Sequence, residues 1–150
     1  MNVWNDPVKW SALCSGAACP ICRQREPLDV VANLETSWVT MQEIAPIRGY
    51  VCLVSYIHAV ELHDLPDEAA AAFMRDILKV SRAVASVTGA VKMNYEIHGN
   101  SLPHLHMHLF PRYRGDQFEG QPINPRLAKQ PVYDPGQFAR FRSSILEALA

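Results

Sequence analysis

His104-Leu105-His106-Met107-His108-Leu109-Phe110 is the stretch that decides the reading. Three histidines alternate with Leu105, Met107 and Leu109. Successive side chains on a strand point to opposite faces, so the spacing predicts a strand over Leu105 to Phe110. All three imidazoles then share one face, and the apolar residues turn to a core on the other. Neighbouring imidazoles would start about 6.6 Å apart along the strand, and the first and last about 13 Å apart. Pro111 is expected to close the strand.

Three chemistries fit such a face. It could be merely solvated. It could hold a three-histidine catalytic metal, although neighbours spread over about 13 Å of one strand rarely converge on a single ion. Or the imidazoles could divide the labour, one attacking phosphorus while a neighbour orients it or stabilises charge. The third reading has a local requirement. The attacking ring must donate a hydrogen bond from its other nitrogen, so that the attacking nitrogen carries no proton.

Outward from this run, Val91 to Ile97 reads as a strand and His98-Gly99-Asn100-Ser101 as the loop between the two. Asp64-Leu65-Pro66-Asp67-Glu68 offers a helix cap, an early proline and first-turn carboxylates. Phe73, Ile77, Val80, Val84 and Val87 follow as one apolar stripe, and Gly89 ends the helix. Farther upstream, strands are predicted over Thr36 to Glu43 and Tyr50 to Tyr56, joined by the turn Pro46-Ile47-Arg48-Gly49 and therefore antiparallel. Cys52 lies in the second as a small core residue. Asp6-Pro7 opens a short helix with Val8, Trp10 and Leu13 on one side, and Cys19-Pro20-Ile21-Cys22 reads as a tight knuckle. From Arg112 to Pro135 the chain is rich in proline, glycine and arginine, an ordered loop or flap. Asp134-Pro135 then restarts a helix carrying Phe138, Phe141, Ile145 and Leu149. The pattern is that of a single α+β domain over residues 1–150, with a mainly antiparallel sheet.

The chain has 150 residues, 49% hydrophobic and 19% charged, with a formal net charge of −1. No global field draws in nucleic acid or an anionic membrane, so neither is an expected partner. No apolar run approaches the roughly 20 residues of a membrane span, and the polar start, Met1 to Asp6, lacks the features of a secretory signal. A cytoplasmic location is the expectation. There, a Cys-x-x-Cys pair such as Cys19 and Cys22 is more often a metal or redox site than a disulfide. A zinc knuckle, a metal-free dithiol and a redox pair all fit that spacing.

The histidine run with Pro111-Arg112 resembles the signature of the histidine triad (HIT) family of nucleotide hydrolases and transferases. The likeness extends to Asn94, to Gly99-Asn100-Ser101 with Pro103, to Arg48-Gly49-Tyr50-Val51-Cys52-Leu53-Val54 and to His63-Asp64-Leu65, covering a core of about residues 19–114. Residues 115–150 then form a C-terminal loop and helix. The resemblance implies a HIT-like fold: a mainly antiparallel five-stranded sheet, one long helix packed on it, and terminal helices.

By the same resemblance His106 is the nucleophile on the α-phosphorus of a nucleotide conjugate, through a nucleotidyl-histidine that water resolves. His108 contacts phosphate oxygens and Ser101 supplies a hydroxyl. Asn94, Asn100 and Gln42 fall at or near nucleotide-binding positions, Gln42 near the ribose. Arg112 either binds phosphate or pairs with an acid. Zinc-binding relatives hold a structural zinc through positions matching Cys19, Cys22, His58 and His104, and the family pattern implies a homodimer. Two departures stand out. Tyr50 occupies a position where the family has histidine, and Asn100 one where it has glutamine. Transfer of the nucleotide to another acceptor, or nucleotide binding with little turnover, are the rival functions.

Overall fold

The computed structural model describes residues 2–150. Five strands form one sheet: β1 (Val30–Asn33), β2 (Ser37–Thr40), β3 (Val51–Ser55), β4 (Lys92–Glu96) and β5 (His106–Arg112). Their spatial order is β1-β2-β3-β5-β4, and each neighbouring pair is antiparallel. Four α-helices accompany it: α1 (Pro7–Cys14), α2 (Pro20–Gln24), α3 (Asp67–Thr88) and α4 (Gln137–Leu149). No helix among the described residues is long and apolar enough to cross a membrane.

The alternation in the histidine run sets which face is which. Leu105, Met107 and Leu109 are buried together with Val51, Leu53, Phe73, Ile77, Val80, Val84, Phe141 and Ile145. The α3 stripe and the apolar side of α4 therefore cover this face. Burying a large apolar side chain contributes roughly 1.5–3 kcal/mol, so this side of the sheet is committed to the core. A polar anchor fixes α3 on it. Asp76 is buried and accepts hydrogen bonds from the Thr36 amide (2.9 Å), the Thr36 hydroxyl (3.0 Å) and the Ser37 hydroxyl (2.8 Å), which ties the helix to the start of β2.

The opposite face is covered in part, Cys52 and Val54 by Cys19 and Ile21, and Phe110 by Phe118 and Ile123. In register across it lie Val54 with His106, Cys52 with His108, Glu96 with His108 and Asn94 with Phe110. Directly opposed residues share a face, so these side chains converge. The turn before β3 depends on Gly49, whose φ of +85° suits glycine. A Cβ there would lie 2.8 Å from both Pro111 Cγ and Thr88 Cγ2, a contact no real side chain tolerates.

Several local expectations are corrected. β1 has no counterpart among the strands predicted from periodicity. Asp64 does not cap α3; it closes a 3-10 turn (Leu62–Asp64) by accepting from the Glu61 amide, and Pro66 occupies the N-cap position. Pro111 does not close β5, which runs on to Arg112. β3 pairs with β5 only from His106 to Leu109, so one side of β5 has no ladder beyond Leu109 and a residue without an N–H is tolerated. Gly136, not Asp134, caps α4. The Cys19–Cys22 knuckle is the first turn of α2, with Cys19 at its N-cap. His104 stands before β5, off the strand that carries the other two histidines.

Candidate active site and metal centre

The three histidines do different things. His104 is 1% exposed and sits in a cluster with Cys19, Cys22 and His58. Its Nε2–H donates to the Ser55 carbonyl (2.8 Å), and the His58 Nε2–H donates to the Cys14 carbonyl (2.8 Å). A carbonyl only accepts, so these bonds fix both tautomers and leave both Nδ1 atoms as bare lone pairs. Those lone pairs face each other at 3.2 Å. Cys19 Sγ lies 3.4 Å from His104 Nδ1, and Cys22 Sγ lies 3.3 Å from His58 Nδ1 and 3.8 Å from His104 Nδ1.

Two acceptors pressed together beside two thiols make a donor set that suits a cation. A tetrahedron built from ordinary zinc–sulfur and zinc–nitrogen lengths has edges of about 3.3 Å between nitrogens and about 3.6 Å between sulfur and nitrogen. The His–His separation of 3.2 Å and the three sulfur–nitrogen separations of 3.3, 3.4 and 3.8 Å approach those edges, and all four donor atoms lie within 4.8 Å of one another, so these four residues could hold a metal ion. Gly16, at φ +85°, packs against the His58 ring, and the Cys14 backbone serves as an outer support while its sulfur stands apart from the cluster.

His106 meets the local requirement for a nucleophile. Its Nδ1–H donates to the His104 carbonyl at 2.6 Å, so Nε2 is unprotonated and free. The His104 backbone thus orients His106 while its ring belongs to the metal cluster.

His108 is held by the residue that departs from the family pattern. The Tyr50 hydroxyl lies 2.7 Å from His108 Nδ1. Burial first, with Cys52 adding, pushes the Tyr50 phenol well above its ordinary range, so the hydroxyl keeps its proton and donates it. His108 Nδ1 is therefore an acceptor, and the ring's own proton sits on Nε2. Burial, with the His106 and His98 imidazoles adding, brings His108 down to about 4, so it is neutral at pH 7. The two rings lie edge to face with centroids 4.8 Å apart. One therefore presents a lone pair and its neighbour an N–H.

Two clefts meet at this pair. One, of about 290 Å³, runs past His106 along Ile21, Pro27, Leu28, Val54 and Leu102. The other, of about 710 Å³, runs past His108 along Glu96, His98, Phe110, Ile123 and Asn124. Gln42 and Tyr50 line both. Gln42 Nε2 donates to Asp29 Oδ2 at 2.9 Å, which brings a carboxylate beside the small cleft.

Not every expected residue comes to this centre. Asn100 and Ser101 lie exposed on the loop before His104 and line neither cleft. Of the two roles open to Arg112, a phosphate or an acid, the structure shows the pairing with an acid. Its five N–H donors are all engaged: two on Asp116 (2.9 and 3.0 Å), one on Asn94 (2.7 Å), and one each on the Gln121 and Phe118 carbonyls. Asp116 also accepts from the Tyr113 and Phe118 amides, and the Arg112 hydrogen bond holds its carboxyl below the usual range. Arg112 therefore binds the C-terminal loop to the sheet and lines the groove that adjoins the large cleft. Asn94, with its Oδ1 taken by Arg112, lines this groove with Arg114 and Glu119 instead. His98, which opens the loop, reads from sequence either as a surface turn residue or as an aid to the leaving group, whereas nothing there points to Asp29, or to Glu96 as the partner of His98. Asp29 carries no periodic signal, but Asn94, Glu96 and His98 alternate as the histidines do, and that spacing marks a shared face.

Comparison with known proteins agrees with this architecture. Residues 23–115 match the HIT domain. "Protein hit" of Bacillus subtilis is 29% identical over 105 residues, which are 66% of this chain and 68% of that protein. The structure of a histidine triad protein from Bradyrhizobium japonicum superposes with a TM-score of 0.73 at 29% identity, covering 85% of this chain and 95% of that one. A zinc-bound histidine triad family protein from Mycobacterium smegmatis shares the fold at a TM-score of 0.64 and 20% identity, over 87% of this chain and 95% of that one.

Proposed function

Because the chain belongs to the HIT domain family, we propose that it hydrolyses nucleotide conjugates at the α-phosphorus, with His106 as the nucleophile. The observation that carries this reading is the His106 Nδ1–H bond to the His104 carbonyl, which leaves Nε2 free beside the His108 N–H. His106 Nε2 attacks phosphorus, the conjugated group leaves, and water then cleaves the phosphorus–nitrogen bond. The His108 Nε2–H stabilises charge on a phosphate oxygen, an N–H preorganised by Tyr50. The narrow apolar cleft beside His106 accepts the nucleoside, with Gln42 and its Asp29 partner toward the ribose. The larger cleft beside His108 accepts the leaving group. Asn100 and Ser101 are assigned to the outer phosphate oxygens on the family likeness. Candidate substrates are dinucleoside polyphosphates, nucleoside phosphoramidates and adenylylated small molecules.

Cys19, Cys22, His58 and His104 would hold a zinc ion in this reading, and the zinc-bound relative supports that assignment. When bound, zinc supplies a structural cross-link between the N-terminal segment and the backbone that orients His106. The reading takes the protein to act as a cytoplasmic homodimer, without stable nucleic-acid or membrane partners.

Trapping tests the function. Quenching the wild type in alkaline denaturant, which preserves a phosphorus–nitrogen bond, after mixing with a panel of AMP conjugates should give a covalent nucleotidyl-enzyme and AMP, and His106→Ala should give neither. AMP binding without cleavage of any conjugate would overturn the hydrolase reading in favour of a binding module. AMP transferred to an added acceptor rather than to water would favour a transferase.

A further inference from the structure

The large cleft also contains a carboxylate–imidazole pair that the reading above does not use. Glu96 ends β4, opposite His108 in the ladder, and therefore on the same sheet face. His98 follows two residues later. Its Nε2 lies 2.8 Å from Glu96 Oε2, and its ring centroid is 5.7 Å from that of His108. Both Glu96 and His98 line the cleft with His108. The carboxylate accepts the Nε2–H, which fixes the ring and makes Nδ1 the atom that can give and take a proton.

We propose that His98, oriented by Glu96, is the general acid–base of the reaction and suits the cleft to conjugates whose leaving atom departs, once protonated, as an amine or alcohol. The proposal rests on the hydrolase reading. His108 cannot fill the role, because its Nδ1 is occupied by Tyr50 and its neutral ring is committed to the phosphate. Proton bookkeeping closes on His98 alone. The cycle starts with both His98 nitrogens protonated: as His106 Nε2 bonds to phosphorus, the bond to the leaving atom breaks with its electron pair, and that atom takes the proton from His98 Nδ1. The neutral Nδ1 then accepts a proton from water as the water oxygen bonds to phosphorus. The phosphorus–His106 bond breaks, its electron pair returns to Nε2, and both imidazoles are restored. A leaving group that is itself a stable anion has little need of this proton, and the Glu96 carboxylate disfavours it.

Leaving-group dependence tests the assignment. Two substrates are compared: the AMP ester of 4-nitrophenol, which leaves without help, and the AMP phosphoramidate of a primary alkylamine, which needs a proton. Positioned general acids contribute about 10²–10⁴-fold. In His98→Gln the ratio of kcat/KM for the phosphoramidate to that for the nitrophenyl ester should fall by about 30-fold or more, and Glu96→Gln should move it in the same direction. A merely structural role would lower both substrates together and leave the ratio alone, and an unchanged ratio in His98→Gln overturns the proposal. If the wild type gives no covalent nucleotidyl-enzyme and cleaves neither substrate, the hydrolase reading itself fails, and the general-acid role fails with it.

Discussion

Tyr50→Phe isolates one hydrogen bond. The substitution removes the hydroxyl 2.7 Å from His108 Nδ1 and keeps the ring, which stacks on Phe110 with centroids 5.0 Å apart. Without that donor, His108 can carry its proton on Nδ1 instead, and Nε2 then presents a lone pair to a phosphate oxygen that needs a donor. A net hydrogen bond is worth about 0.5–1.5 kcal/mol. With about 1.4 kcal/mol per decade of rate, kcat should fall roughly 2- to 12-fold, with KM little changed. The exposed partner also matters for folding. An unsatisfied buried acceptor costs about 1–3 kcal/mol, and for a chain of this size each kcal/mol lowers Tm by about 2–4 °C. Steady-state kinetics with the nitrophenyl ester, nitrogen-15 NMR of the imidazoles and a thermal melt read the three consequences. Tyr50→Phe with wild-type kcat and an unshifted His108 tautomer would refute the positioning role, because a hydroxyl that sets the proton cannot be deleted without either change.

Protein purified without added metal should contain about one zinc per chain, the stoichiometry of a four-ligand site; substoichiometric zinc that is unchanged in Cys19→Ser would sink the metal assignment. Gly49→Ala adds a methyl 2.8 Å from Pro111 Cγ and Thr88 Cγ2 at a φ of +85°. It should cost about 2–4 kcal/mol of stability in urea unfolding, combining strain and overpacking, and a loss under 1 kcal/mol would contradict the close approach. Asp116 is held below the ordinary carboxylate value of about 3.9. Its contribution is therefore complete above that value and is lost as pH falls through the lower folded one. Asp116→Asn should destabilise the protein at neutral pH and flatten the acid limb of its stability profile. An acid limb identical to that of the wild type would remove Asp116 as its cause.

The core face was readable because two periodicities agree on it: the period of two in Leu105, Met107 and Leu109, and the helical spacing of Phe73, Ile77, Val80 and Val84. β1 escaped because it is short and only partly buried, so its residues carry no clean alternation. The helix starts were misplaced because Asp64 and Asp134 resemble caps, and a cap is decided by local φ and ψ that composition does not specify. At the site, the residues alone gave a shared histidine face and a Cys-x-x-Cys pair, and the family resemblance implied the role of His106 and the full ligand set. The contacts of Arg112 were not legible. A guanidinium beside a catalytic strand serves a phosphate or an acid equally well, and only the fold brings Asp116 and two loop carbonyls to it. Tyr50 shows the same limit. A phenol at a histidine position can be read from sequence as a possible donor, but its partner, His108 Nδ1, and the burial that keeps its proton in place come only from the fold.

The metal cluster also has a consequence for how the chain folds. Cys19 and His104 are separated by 85 positions and Cys22 and His58 by 36. Joining such distant points removes unfolded-chain entropy, by about 4–5 kcal/mol for a loop near 100 residues on the scale used for covalent cross-links. In the folded chain the cluster coincides with the meeting of β3 and the approach to β5, because the His104 ring is seated on the Ser55 carbonyl. An ion bound there latches that topology against unfolding.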